Sequence, residues 1–186
     1  MSKRKQEILQ TAIEMIADEG YASLSMRALA RAVGMKLGAL QYHFRTSDEM
    51  WRELVGYIAE SYRVSFARLQ QDGSPTLREI VAFLLDDAPG RSLFGDRLWP
   101  QLWAMQQVEP LVSDLVEDIY AGYVALLEDA LAMAESDAPR ADALCLMSLL
   151  EGSTIFMGTG RRWEVDGADV RDRVLQFIDQ GFGEKR

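Results

Sequence analysis

Apolar positions recur at helical spacing along nearly the whole chain. Ile8, Leu9, Ala12, Ile13, Ile16 and Ala17 follow the 3.6-residue period and predict a helix over 5–19, stopped by Gly20. Leu29, Ala30 and Val33 mark a short second helix. Ser25 stands at its N-cap, where a hydroxyl accepts an orphan backbone N–H, and Gly34 stands at its end. Leu37, Leu40 and Phe44 mark a third helix from about Lys36. Thr46-Ser47-Asp48-Glu49 reads as a capping box, with Thr46 at the N-cap and Glu49 at N3. It opens a long fourth helix to about Gln71, with Trp51, Leu54, Val55, Ile58, Tyr62, Phe66 and Leu69 on one stripe.

Asp72-Gly73-Ser74-Pro75 is a turn. Thr76 opens a fifth helix to about Asp87, ended by Ala88-Pro89-Gly90. Gly95-Asp96 precedes a sixth to about Gln107, with Pro100 in its first turn or so, where a missing N–H costs least. Glu109-Pro110 opens the seventh, with Pro at N1, to about Glu135. Asp137-Ala138-Pro139 opens the eighth to about Gly158. After a loop over Gly160 to Gly167, Val170, Val174, Phe177, Ile178 and Phe182 mark the ninth. No strand pattern or internal repeat interrupts the series. The expectation is an all-α protein of about nine helices, with a three-helix domain over 1–46 and a larger helical domain over 47–186.

Two short helices joined by a tight Gly-containing turn form a helix-turn-helix, whose second helix enters the DNA major groove. An ordinary helical hairpin would satisfy the A-L-A-R-A-V-G stretch equally well. The next helix argues against that. Lys36, Gln41, Tyr42 and His43 supply donors for phosphates and bases, and Gly38 and Ala39 let a backbone approach closely. Lys3, Arg4 and Lys5 could reach phosphate or simply solvate the terminus.

The stretch from Ile8 to Leu54 resembles the N-terminal domain of TetR-type transcriptional regulators. The likeness rests on Ile8 to Ala17, Gly20-Tyr21, Ser25, Leu29-Ala30, Val33-Gly34, Gly38, Leu40, Tyr42-His43-Phe44 and Glu49. The chain departs from the family's habit at Lys36, Gln41 and Ser47, where Ser or Thr, Tyr, and Lys are usual. The framework therefore matches, and the reading surface is its own. Motif and resemblance together imply a DNA face of Ser25, Arg27, Lys36, Leu37, Gly38, Ala39, Gln41, Tyr42, His43, Thr46 and Ser47.

Charge sharpens the division. The net charge of −9 looks wrong for a DNA binder. Residues 1–46, however, hold seven Lys/Arg against four Asp/Glu, and the remainder holds 13 against 25. A basic module on an acidic body suits one end meeting a polyanion. The single cysteine, Cys145, sits between Leu144 and Leu146 and reads as a small core residue with no disulfide to make. No apolar run reaches membrane-span length, and M-S-K-R-K-Q-E leads into an amphipathic helix rather than a signal-peptide core. The reading is cytoplasmic. His43 is the only histidine, and no His/Cys cluster or Gly-rich phosphate loop offers a metal, cofactor or catalytic site. An enzyme is not expected.

In the body, Phe83, Trp99, Leu102, Trp103, Tyr120, Tyr123, Met147 and Phe156 supply an aromatic and Met-rich group on neighbouring helices. Core packing explains each alone. The resemblance implies that the group lines a small-molecule effector pocket. An apolar or aromatic effector is expected, in a cavity closed from bulk water around Trp99, Trp103, Tyr123 and Phe156. Glu151 shares an apolar helix face with Met147 and Ile155. It could meet a cationic ligand, or pair with Arg161 or Arg162 across a dimer. The last two helices carry further apolar faces, and the resemblance implies a homodimer through them. The functional expectation is a repressor released from operator DNA by its effector. The alternative is a helical protein–protein adaptor without DNA binding.

Overall fold

The computed structural model describes residues 1–71, 73–86 and 97–182. Within them the chain forms nine α-helices and two 3-10 turns, with no strand. The helices are α1 Lys3–Glu19, α2 Met26–Ala32, α3 Leu37–His43, α4 Ser47–Leu69, α5 Leu77–Leu85, α6 Leu98–Met105, α7 Pro110–Met133, α8 Pro139–Met157 and α9 Gly167–Phe182. The expected stop at Ala88-Pro89-Gly90 and the Gly95-Asp96 lead into α6 lie outside the described residues, as does Asp72 of the turn.

Local chemistry sets the ends. The α1 helix starts two residues earlier than periodicity predicts, because the Ser2 hydroxyl accepts from the Lys5 N–H and caps it. Ser25 caps α2 by accepting from the Ala28 N–H at 3.2 Å. At the end of α2, Gly34 takes φ +68°, and the Met35 and Gly34 N–H groups bond the Ala30 and Arg31 carbonyls. That is a Schellman closure, and it needs a residue that tolerates the left-handed conformation. Thr46 caps α4, but the Glu49 carboxylate reaches back to the Arg45 N–H rather than to Thr46. The complete capping box belongs to Thr76 and Glu79 on α5. Its backbone and hydroxyl hydrogen bonds hold the Glu79 carboxyl below its ordinary range.

The α1, α2 and α3 helices close around Ile8, Leu9, Ile13, Leu29, Leu40 and Phe44, all fully buried. The body is built on α7, which packs most extensively with α8 and also meets α4, α5 and α6, while α9 lies against α5. Arg171 of α9 grips Asp86 with two hydrogen bonds of 2.7 and 3.0 Å.

Two helices join head to body. The α4 helix leaves the head directly after Phe44 and runs 23 residues, about 34 Å at 1.5 Å per residue. The α6 helix touches α1. Arg97 pairs with Asp18 at 2.7 Å, and Gln101 sits against Gly20.

Candidate nucleic-acid interface and body cavity

The third helix divides its labour cleanly. Leu40 and Phe44 point inward and are completely buried, while Gly38, Ala39, Gln41 and Tyr42 are exposed. Tyr42 is 89% exposed, with the half-buried His43 ring edge-on 5.7 Å away. Lys36 occupies the N-cap position of α3 and is exposed, and Leu37 is half-buried behind it. Ser25 and Arg27 lie exposed at the start of α2, and Thr46 and Ser47 at the start of α4. The Ser25 and Thr46 oxygens accept cap hydrogen bonds, which leaves each hydroxyl proton to be donated.

The N-terminal basic residues split. Lys3 is exposed. Arg4 pairs with Glu7 and donates to the Val33 carbonyl at 3.2 Å, which ties α1 to the turn. Lys5 pairs with Glu53 of α4 at 2.7 Å and lies over the Phe44 ring, 5.1 Å from its centroid. Lys5 is therefore a brace between α1, α3 and α4.

In the body, Trp99 is the hub of the aromatic group. Its ring stacks on Tyr62 and packs on Trp103 and Tyr120, with centroids at 5.7, 6.3 and 5.6 Å. Phe66 and Tyr123 pack together at 4.6 Å. Trp103 Nε1 donates to Tyr120 Oη at 2.7 Å. Burial raises the Tyr120 phenol well above its ordinary value, and the nearby Glu151 charge raises it further.

A cavity of about 30 Å³ lies beside Trp99. Trp99, Tyr123, Met147 and Glu151 line it together with Tyr62, Leu84, Leu150 and Thr154. Such a void holds a water or two and no ligand. The expected space among Trp99, Trp103, Tyr123 and Phe156 is therefore not ligand-sized. Trp103 and Tyr120 pack behind Trp99, Leu102 is in the core, and Phe83 is half-buried on α5. Phe156 lies elsewhere. It is 55% exposed and meets Trp163 edge-on, because residue 156 falls on the opposite face of α8 from Met147 and Leu150. A larger hollow of about 360 Å³ adjoins the cavity, sharing Leu84 and Thr154 as walls. Tyr62 was legible as an aromatic in the α4 stripe; Thr154 carries no signal that marks it as a cavity residue.

Cys145 is exposed, not a core residue. It shares an uncovered face of α8 with Leu149 and Phe156, flanked by Leu144 and Ile155. On α9, Phe177 is 53% exposed, whereas Ile178 is 4% exposed and belongs to the chain's own core. Ile178 is therefore not part of the free face.

Among the described residues no helix is long and apolar enough to cross a membrane, and no group of three His, Cys, Asp or Glu could hold a metal ion.

Residues 8–54 match the sequence model of the family described as bacterial regulatory proteins, tetR family. The nucleoid occlusion factor SlmA of Aliivibrio fischeri (strain MJ11) is 35% identical over 82 residues, 44% of this chain and 42% of that protein. The chain thus aligns with about two fifths of that curated relative's length. Among solved structures, a transcriptional regulator from Saccharomonospora viridis in complex with choline superposes with a TM-score of 0.79 at 20% identity, covering 100% of both chains. AibR in complex with isovaleryl coenzyme A and operator DNA gives 0.68 at 17% identity, covering 97% of this chain and 99% of that one. At these identities the likeness is one of fold.

Proposed function

We propose that this chain, a TetR-family regulator by its matched N-terminal domain and its fold, binds operator DNA as a homodimer and is released by a small-molecule effector held in the body. The α3 helix carries this reading. Four neighbouring exposed positions, Gly38, Ala39, Gln41 and Tyr42, sit on a helix whose other face is locked in the core by Leu40 and Phe44. A side chain such as Gln41 can form paired hydrogen bonds with adenine in the major groove. Lys36, Ser25 and Thr46 suit phosphates, which fix register without reading sequence.

A dimer is the natural state for such a head, because two recognition helices must meet half-sites roughly 34–36 Å apart or a multiple of it. The free apolar faces of α8 and α9 supply the seam. An isologous pairing there would cover Leu149, Phe156 and Phe177.

Release follows from the two struts. Both α4 and α6 place a ring at the cavity, Tyr62 and Trp99, and both end on the head. An effector that favours a different spacing of those rings favours a different placement of the heads. The solved relatives that hold choline or isovaleryl coenzyme A support an effector site in this body. The match to SlmA covers 82 residues, 44% of this chain, so it leaves much of the body unmatched.

The test is a mobility-shift assay with DNA flanking the protein's own gene. Retarded, sequence-selective complexes that vanish in Gln41→Ala/Tyr42→Ala are expected. Equal retardation of unrelated DNA by both proteins would contradict the reading, and an adaptor would give none.

A further inference from the structure

The cavity wall combines a carboxylate with aromatic rings. Glu151 lines it beside Tyr62, Trp99 and Tyr123, and Tyr120 reaches the same carboxylate with its phenol. Leu84, Met147 and Leu150 make up most of the rest. Ring faces carry partial negative charge and attract a cation within about 6 Å of their centroids. Carboxylate and rings therefore attract the same sign of charge from independent sources.

That combination discriminates among ligand classes. An anion is repelled by both. A neutral alcohol can donate to Glu151 but gains little from the rings. A metal ion would find no group of three His, Cys, Asp or Glu to hold it among the described residues. A primary ammonium is strongly hydrated and needs several acceptors. An ammonium carrying apolar substituents uses carboxylate, ring faces and aliphatic wall together.

We infer that the effector is a substituted organic ammonium ion, seated with its charge at Glu151 between Tyr62, Trp99 and Tyr123. This rests on the proposed effector response of the body. The cavity at about 30 Å³ is too small for such a group, so seating it displaces side chains. Met147 is the pliable member of the wall. The shared residues Leu84 and Thr154 separate the cavity from the 360 Å³ hollow, whose walls include Leu85, Met157 and Val170. Apolar substituents extend that way once Leu84 turns aside. The same displacement parts Trp99 from Tyr62, which couples binding to both struts.

The experiment compares cations with a neutral isostere by calorimetric titration of the intact protein. The probes are tetramethylammonium, tetraethylammonium and phenyltrimethylammonium, with tert-butylbenzene as the uncharged match of the last. At least one cation should bind saturably, and phenyltrimethylammonium should bind at least tenfold more tightly than tert-butylbenzene. Glu151→Gln keeps shape and removes charge, and should shrink that preference about tenfold; Trp99→Phe should reduce it less, should the first variant fail to fold. No binding by any cation at millimolar concentration, or an isostere that binds as well as the cation, overturns the inference. So does a preference unchanged in both variants. Operator retardation by the unliganded protein is scored separately, so failure here leaves the DNA-binding reading standing and the converse holds.

Discussion

Tyr62 and Trp99 stack with ring centroids 5.7 Å apart at 25°, closer to parallel than the other ring pairs around Trp99. One ring belongs to α4 and the other to α6, the two helices that bear the head. The stack therefore joins both supports at the cavity wall. Under the proposed release mechanism, a change in the stack would reach the head along α4 and, through Arg97–Asp18, along α6.

Asp18→Ala should separate these routes. The pair is exposed on both sides, and such pairs contribute about 0–1 kcal/mol. Chemical denaturation should therefore show little change. Operator affinity should also hold within a few-fold, while effector-driven release weakens. Release curves identical to those of the parent would remove the Arg97–Asp18 pair from the coupling.

On the reading face, Lys36→Ala should weaken operator and non-operator DNA alike and reduce the salt slope of log K by about one. Gln41→Ala should instead change base preference, at about 1–3 kcal/mol for the affected base pair. Neither side chain is in the core, so unfolding midpoints should stay put. A binding titration over several salt concentrations separates the two effects, and a swapped pattern would reverse their roles.

The dimer is testable through adjacent residues with opposite roles. Phe177→Glu and Leu149→Glu should give folded monomers by sedimentation, with operator affinity lost. Ile178→Glu should unfold the protein, because a carboxylate would replace a side chain buried in its own core. Cys145 reports on the same seam. Its thiol should react slowly with maleimide in the dimer and quickly in Leu149→Glu. Fast labelling of an intact dimer would place the seam elsewhere.

Tyr120 gives an alkaline signature. Burial and the Glu151 charge raise its folded-state pKa above the ordinary 10.0. The neutral phenol's contribution is thus whole below pH 10. It is lost as pH climbs, because the unfolded chain releases the proton first. Tyr120→Phe should flatten the decline of stability between neutral pH and pH 11 or so, measured by guanidinium denaturation. Equal slopes for both proteins would contradict the assignment.

Much of this fold was legible because helix chemistry is local. Ser25, Gly34, Thr46, Pro110 and Pro139 mark boundaries within a residue or two of where the helices begin or end. The division of α3 into buried Leu40 and Phe44 and outward Gln41 and Tyr42 also follows from period alone. What stayed hidden concerns which partner an apolar face meets. Periodicity puts Phe177 and Ile178 on the same stripe, yet one is free and the other enclosed. It cannot tell Cys145 on an uncovered face from a cysteine in the core. The cavity was half legible: Trp99 and Glu151 stand out by residue type, while Leu84 and Thr154 become wall residues only when α5 and α8 are brought together. Lys5, a surface cation by composition, is spent on Glu53 and Phe44, which no local rule reveals.

The separation of duties on α3 bears on how such a protein changes through time. Gln41 and Tyr42 support no core, and surface substitutions of that kind usually shift stability by no more than about 0.5 kcal/mol. A duplicated copy of the gene can therefore drift at these positions and acquire a new target sequence while the encoded protein still folds. Leu40 and Phe44, one residue before and two after that pair, allow no comparable freedom. Novelty in this lineage should enter through the exposed side of one seven-residue helix, with its inner side held fixed by selection for folding.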